Sequence, residues 1–178
     1  MPSLQELLIE NQPTTSGIHE AMAQHAEQVF EELHGVLPIF LGKRKTSGFI
    51  NLSIPTKALQ NRDILLATLS NLIKTYNLSV ASFVSTIRAQ FPGSEEPQLA
   101  AILITADSSN AVFQLPWELQ FDATSNLSAF KRTHAEGFTI DEATWKEMFQ
   151  ETKNLADKAE AYGNLVEVFG GEDQLPRP

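Results

Sequence analysis

Four histidines, three consecutive cations and a scatter of carboxylates are the residues here whose types could do chemistry. His19, His25 and His34 fall within one helix-like stretch, and His134 lies far downstream. Metal-binding pairs on a helix sit three or four apart, because only those side chains project side by side. The histidine spacing does not fit that pattern, so the histidines read as structural or surface residues. The chain has no cysteine, which excludes disulfides, thiolate metal sites and a thiol nucleophile together. The reading is of no metal site, no cofactor and no catalytic residue that a motif identifies.

The cations form the segment Gly42-Lys43-Arg44-Lys45-Thr46-Ser47-Gly48. A phosphate loop needs two glycines with four residues between them, then Lys and Ser/Thr opening a helix, so that amides converge on the phosphates. Here the residues after Gly48 are strand-like, and that reading fails. What remains is a basic hairpin loop, either solvated or used to hold an anion. Lys43, Arg44 and Lys45, with Arg62 and Arg88, are the candidate binding residues, and Lys57 and Lys74 are possible neighbours. Counterion release would reward such a cluster on nucleic acid. Among the acids, Asp63, Asp107, Glu118 and Asp122 could form an enzyme site with Arg88 only if the fold brings them together. Serine hydrolysis would need a Gly-x-Ser-x-Gly elbow, which is absent.

Charge is partitioned along the chain. Residues 36–91 carry seven Lys/Arg against one acid, a local +6, whereas residues 1–35 carry −6 and residues 92–178 carry −9. A basic middle between acidic flanks points to self-neutralisation or to a charged partner. The overall −9 opposes approach to a polyanion, although a local patch can prevail. Hydrophobic residues make up 42% and charged residues 20%, which is ordinary globular composition. Apolar runs fall far short of the ~20 residues of a membrane span. Met1 to Glu6 lacks a basic leader, so the expected location is cytoplasmic and no membrane partner is expected.

The elements that would position these residues follow from periodicity. Ser3-Leu4-Gln5-Glu6 reads as a capping box opening a short helix, with turn chemistry after it. A helix over 17–35 should bury Ile18, Met22, Ala26, Val29 and Leu33. Runs 38–41 and 48–54 read as a hairpin, and 61–76 as a helix with Leu65, Leu69, Leu72 and Tyr76 inward. Alternation predicts strands at 79–90 and 111–121, and Leu99–Ile104 is apolar on both faces, as a central strand should be. Pro116 lacks an N–H, which places 111–121 at an edge or a bulge. The serines and glutamines of these strands should face water. Residues 122–137 read as a long connection.

Downstream, Trp145, Met148, Leu155, Tyr162, Val166 and Phe169 all fall on the positions of a four-and-three heptad pattern, a coiled-coil-like seam on a long helix over 139–169. These six are the candidate interface residues, packing within the chain or on a second copy. Gly163 could break that helix. The expectation is an α+β fold: a mainly antiparallel five-stranded sheet with helices on one face and a long C-terminal helix. Residues 1–16 would be a leading helix and linker, 17–169 a single domain and 170–178 a flexible tail, with removal of 171–178 silent. The core would include Leu69, Leu72, Phe83, Ile102, Phe113 and Trp117. The first functional reading is a non-catalytic binding or assembly protein whose partner is itself or another protein. It would self-associate through the C-terminal helix or through surfaces of opposite charge. The alternatives are nucleic-acid binding through the 42–45 loop and a small enzyme assembled only in the fold.

Overall fold

The computed structural model describes residues 1–89, 93, 95–133 and 158–178. Six strands form one antiparallel sheet in the order β2-β1-β3-β4-β5-β6. Their ranges are Ile39–Arg44 (β1), Phe49–Ser53 (β2), Leu78–Ala89 (β3), Gln98–Asp107 (β4), Val112–Phe121 (β5) and Leu127–Arg132 (β6). The helices among the described residues are Leu4–Glu10 (α1), Thr15–Leu33 (α2), Thr56–Leu59 (α3), Arg62–Tyr76 (α4) and Lys158–Phe169 (α5), followed by a 3-10 turn at Glu172–Gln174. The described chain divides into two compact units. One takes 1–38, 112–133 and the described residues between 82 and 105; the other takes 39–81, 106–111 and 158–178.

The first unit starts with the expected capping box. Ser3 N–H donates to Glu6 Oε2 at 2.7 Å, and Glu6 N–H to Ser3 Oγ at 3.2 Å. Thr14 then caps α2 by accepting from Gly17 N–H at 3.1 Å, so the helix starts two residues before the predicted 17. Gly17 has to be glycine, because a Cβ there would collide with the carbonyl oxygens of Asn11 and Gln12. Helix α2 packs on β5 and β6 through Ile18, Met22, Ala26 and Phe30. Phe30 replaces the predicted Leu33, which is 59% exposed. The reason is at the far side of the contact. Phe30 meets the rings of Trp117 and Phe130 edge-on at 5.2 and 5.3 Å, a geometry that aromatic quadrupoles favour.

Strand β4 is central, with Ala100–Ala106 buried on both faces, as its apolar run predicts. The five-stranded count is corrected to six: β6 lies inside the expected connection. Its residues Leu-Ser-Ala-Phe-Lys-Arg show no period of two, because a bulge between the pairs Phe121↔Leu127 and Gln120↔Ala129 puts Leu127 and Phe130, three apart, on the same face. Strand β5 is consequently internal. Pro116 tolerates that position because Thr133 N–H donates to the Pro116 carbonyl at 3.0 Å, just past the end of β6 at Arg132. The missing N–H therefore falls where the ladder stops. The wet-face expectation also fails at Ser82, which is fully buried, whereas Phe113 is 38% exposed.

In the second unit β1 and β2 pair from Ile39↔Ser53 to Lys43↔Phe49. Gly48 closes their loop at φ +84°, a conformation glycine adopts without strain. Asn61 caps α4 by accepting from Ile64 N–H at 2.9 Å, and Asn77 ends it in the left-handed conformation. The predicted stripe holds at Leu69, Leu72 and Tyr76, all buried. Helix α5 packs on α4 through Ala161 and Leu165. It runs through Gly163 without a break. The predicted helix from 139 to 157, with Trp145, Met148 and Leu155, lies outside the described residues.

Candidate functional site

The basic loop is built by the β1–β2 hairpin. Lys43 and Arg44 end β1, and Lys45 is exposed on the loop. Arg44 is committed within the unit: its guanidinium lies 5.3 Å over the Tyr76 ring and donates to the Arg177 carbonyl at 2.8 Å. Tyr76 Oη donates to the Pro176 carbonyl at 2.8 Å. Burial pushes the Tyr76 phenol up to about 12, with Tyr162 adding to the shift and Arg44 opposing it, so the phenol stays a donor. Arg62 is exposed in the first turn of α4, and Arg88 is exposed on β3 in the other unit. The segment read as a loose tail thus carries two hydrogen bonds and the buried Leu175.

The candidate carboxylates have local duties. Asp107 Oδ1 accepts from Ser109 N–H at 2.8 Å and Ala111 N–H at 3.0 Å, holding the β4–β5 turn. Asp122 Oδ1 does the same for the β5–β6 turn, accepting from Thr124 N–H, Asn126 N–H and the Thr124 hydroxyl. Those bonds, the Thr124 hydroxyl's first, hold the Asp122 carboxyl below the usual range. Glu118 sits opposite Lys131 across the β5–β6 ladder, and Asp63 lies in the first turn of α4.

Two polar constellations form that sequence spacing did not reveal, both in the first unit. Arg132 at the end of β6 reaches α2. It bridges Glu20 (Nη1–Oε2 3.2 Å, Nη2–Oε1 3.1 Å) and Glu27 (Nε–Oε2 3.1 Å), while Glu27 Oε2 also accepts from Trp117 Nε1 at 3.2 Å. Hydrogen bonding to Glu27 first, then to Glu20, raises the Arg132 pKa further above its ordinary value. The spacing of Glu20 and Glu27, two turns apart on α2, was the available signal; their partner more than a hundred residues away was not.

The second constellation is a chain of three side chains. His19 Nδ1 lies 2.7 Å from Thr105 Oγ1, which lies 2.8 Å from Ser82 Oγ. The His19 ring also packs on Phe113, with centroids 5.6 Å apart. Burial lowers His19 to about 4, with Glu20 opposing that shift and Arg132 adding to it. A neutral imidazole beside a hydroxyl is the arrangement that activates a nucleophile. Ser82 and Thr105 are both fully buried, however, so the hydroxyls satisfy one another.

On α5, Tyr162, Val166 and Phe169 are half-buried while Ala161 and Leu165 face α4. A small polar cleft of about 160 Å³ lies beside that contact, lined by Asn71, Lys74, Glu160, Ala161 and Asn164. No group of three or more metal-ligating side chains occurs among the described residues. No helix among them is long and apolar enough to cross a membrane. Comparison with family models, curated proteins and solved structures finds no match to this chain.

Proposed function

We propose that this protein is a non-catalytic assembly protein that associates with a second copy through a half-buried apolar face of its C-terminal helix. One observation carries the reading. Tyr162, Val166 and Phe169 recur at four and three on α5, so they share a face, and the fold leaves each only half-covered. Apolar side chains aligned on one helix face are the usual material of helix–helix contacts. The charge partition adds support, since a basic segment and acidic flanks on identical copies steer and orient encounter. Nucleic-acid binding through the 42–45 loop draws less support, because Arg44 is held by Tyr76 and the Arg177 carbonyl.

Light scattering over a range of concentration and salt tests this. The wild-type chain is expected above monomer mass, and Val166→Glu is expected to return it to monomer with cooperative melting retained. A strict monomer at high concentration and low salt, or an assembly that Val166→Glu leaves unchanged, overturns the reading.

A further inference from the structure

The sheet has two edges, and they are protected very differently. Strand β6 carries Lys131 and Arg132, and its Leu127 N–H is taken by the His34 carbonyl at 2.8 Å. Charges and capped amides are how natural sheets keep foreign strands from adding to an edge. Among the described residues, strand β2 has none of these. It reads Phe49-Ile50-Asn51-Leu52-Ser53, without a charge or a proline, and five consecutive pairs join it to β1.

The register says which groups are open. Arg44 N–H donates to the Gly48 carbonyl at 3.0 Å, so in an antiparallel ladder the pairs Gly42↔Ile50 and Phe40↔Leu52 exchange hydrogen bonds. The N–H and C=O groups of Phe49, Asn51 and Ser53 therefore point away from β1. The side chains of the same three residues are exposed on one face of the strand, with Phe49 40% exposed as an apolar anchor. An exposed cation stands beyond each end of this edge, Lys45 on the hairpin loop and Lys57 in α3. The five residues of β2 span about 17 Å at the strand rise.

From this placement we infer that the outer edge of β2 is a docking site for an extended acidic segment of another protein. The segment adds as a seventh strand, with main-chain bonds to Phe49, Asn51 and Ser53 and carboxylates near Lys45 and Lys57. Main-chain pairing gives affinity in such strand addition, and the flanking charges give selectivity. A second copy fits the edge poorly. Two β2 strands meeting antiparallel would bring Lys45 of one copy toward Lys57 of the other, and like charges oppose that contact. The inference uses residues separate from α5 and does not depend on self-association through that helix.

The probe is a fluorescent peptide with a valine–threonine core flanked by glutamates, titrated onto the full chain at low salt. Saturable binding is expected, weakened by salt and absent for the same peptide flanked by lysines. Asn51→Pro removes only an outward N–H, and proline is tolerated where a strand edge faces solvent. Loss of that bond should weaken binding about fivefold, the worth of one net hydrogen bond, with melting unchanged. Lys45→Glu combined with Lys57→Glu should weaken it further and flatten the salt dependence. A peptide N-methylated at alternate residues tests the same bonds on the unmodified protein, and it should not bind. No binding, equal binding of the lysine-flanked peptide, or equal binding of the N-methylated peptide overturns the proposal. So does self-association of the chain alone that Asn51→Pro abolishes, because the occupant would then be a second copy.

Discussion

His19 is held neutral by its surroundings, and that has a consequence for stability. Its pKa falls from 6.5 to about 4, with burial as the main cause. The unfolded chain therefore takes up a proton as pH drops below 6.5, while the folded chain resists until about 4. Stability is expected to decline through that window and then level off for this group, while the bonded carboxylates of Asp122 and Glu6 begin to lose theirs only in its lower part and below. Burial lowers His25 as well, with Glu32 opposing, so it acts in the same direction. Denaturant melts across this pH range check the point. His19→Gln should flatten the curve while keeping a polar partner for Thr105. Gly17 gives a second residue-scale prediction. Gly17→Ala drives a Cβ into two backbone carbonyls and should destabilise by a few kcal/mol, read as a lowered urea midpoint. Much of this scale was illegible in the sequence. His19 and Arg132 meet partners 86 to 112 residues away, and local spacing carries no record of them.

Elements with a strong period were legible, and elements whose form depends on a neighbour were not. Strand β4 announced itself because burial on both faces demands an unbroken apolar run. Strand β6 did not, although the turn before it was readable: Asp122, Thr124, Ser125 and Asn126 are turn formers, and Ser125 adopts φ +64°. Helix α5 offers a direct test. Gly163 is exposed, and a Cβ there meets nothing within 4 Å. Gly163→Ala should therefore stabilise the protein by ~0.5–1 kcal/mol, a rise in thermal midpoint. The segment after α5 gives another. Leu175 burial contributes ~1.5–3 kcal/mol and each of the two tail hydrogen bonds ~1, less the entropy of ordering the segment. Deleting residues 172–178 should then cost on the order of 1–2 kcal/mol by the same principles, where sequence alone suggested no effect. Tyr76→Phe removes one of those bonds and should reproduce part of that loss in a chemical melt.

At the scale of the whole molecule, each compact unit is stitched from three stretches of chain that alternate along the sequence. Composition cannot reveal such a division, because no linker of distinctive chemistry separates the two. Contacts spanning 86 to 133 residues are the ones that tie each unit together. A fold so rich in distant pairings must close large loops before its contacts reward it, and refolding is expected in the millisecond-to-second range. Trp117 is the reporter, being fully buried beside Phe30. Stopped-flow fluorescence should show no burial of Trp117 on the microsecond scale of helix formation.

The pairing of α2 with β5 and β6 also sets a timetable on the ribosome. Helix α2 is synthesised by residue 33, yet the strands it covers are complete only at residue 132. At ~5–20 residues per second the nascent helix waits on the order of 5–20 s with Ile18, Met22 and Phe30 uncovered. Chains stalled before β5 has left the exit tunnel should therefore be cut readily within α2 by added protease. Chains stalled beyond β6, on a linker long enough to clear the tunnel, should be protected there.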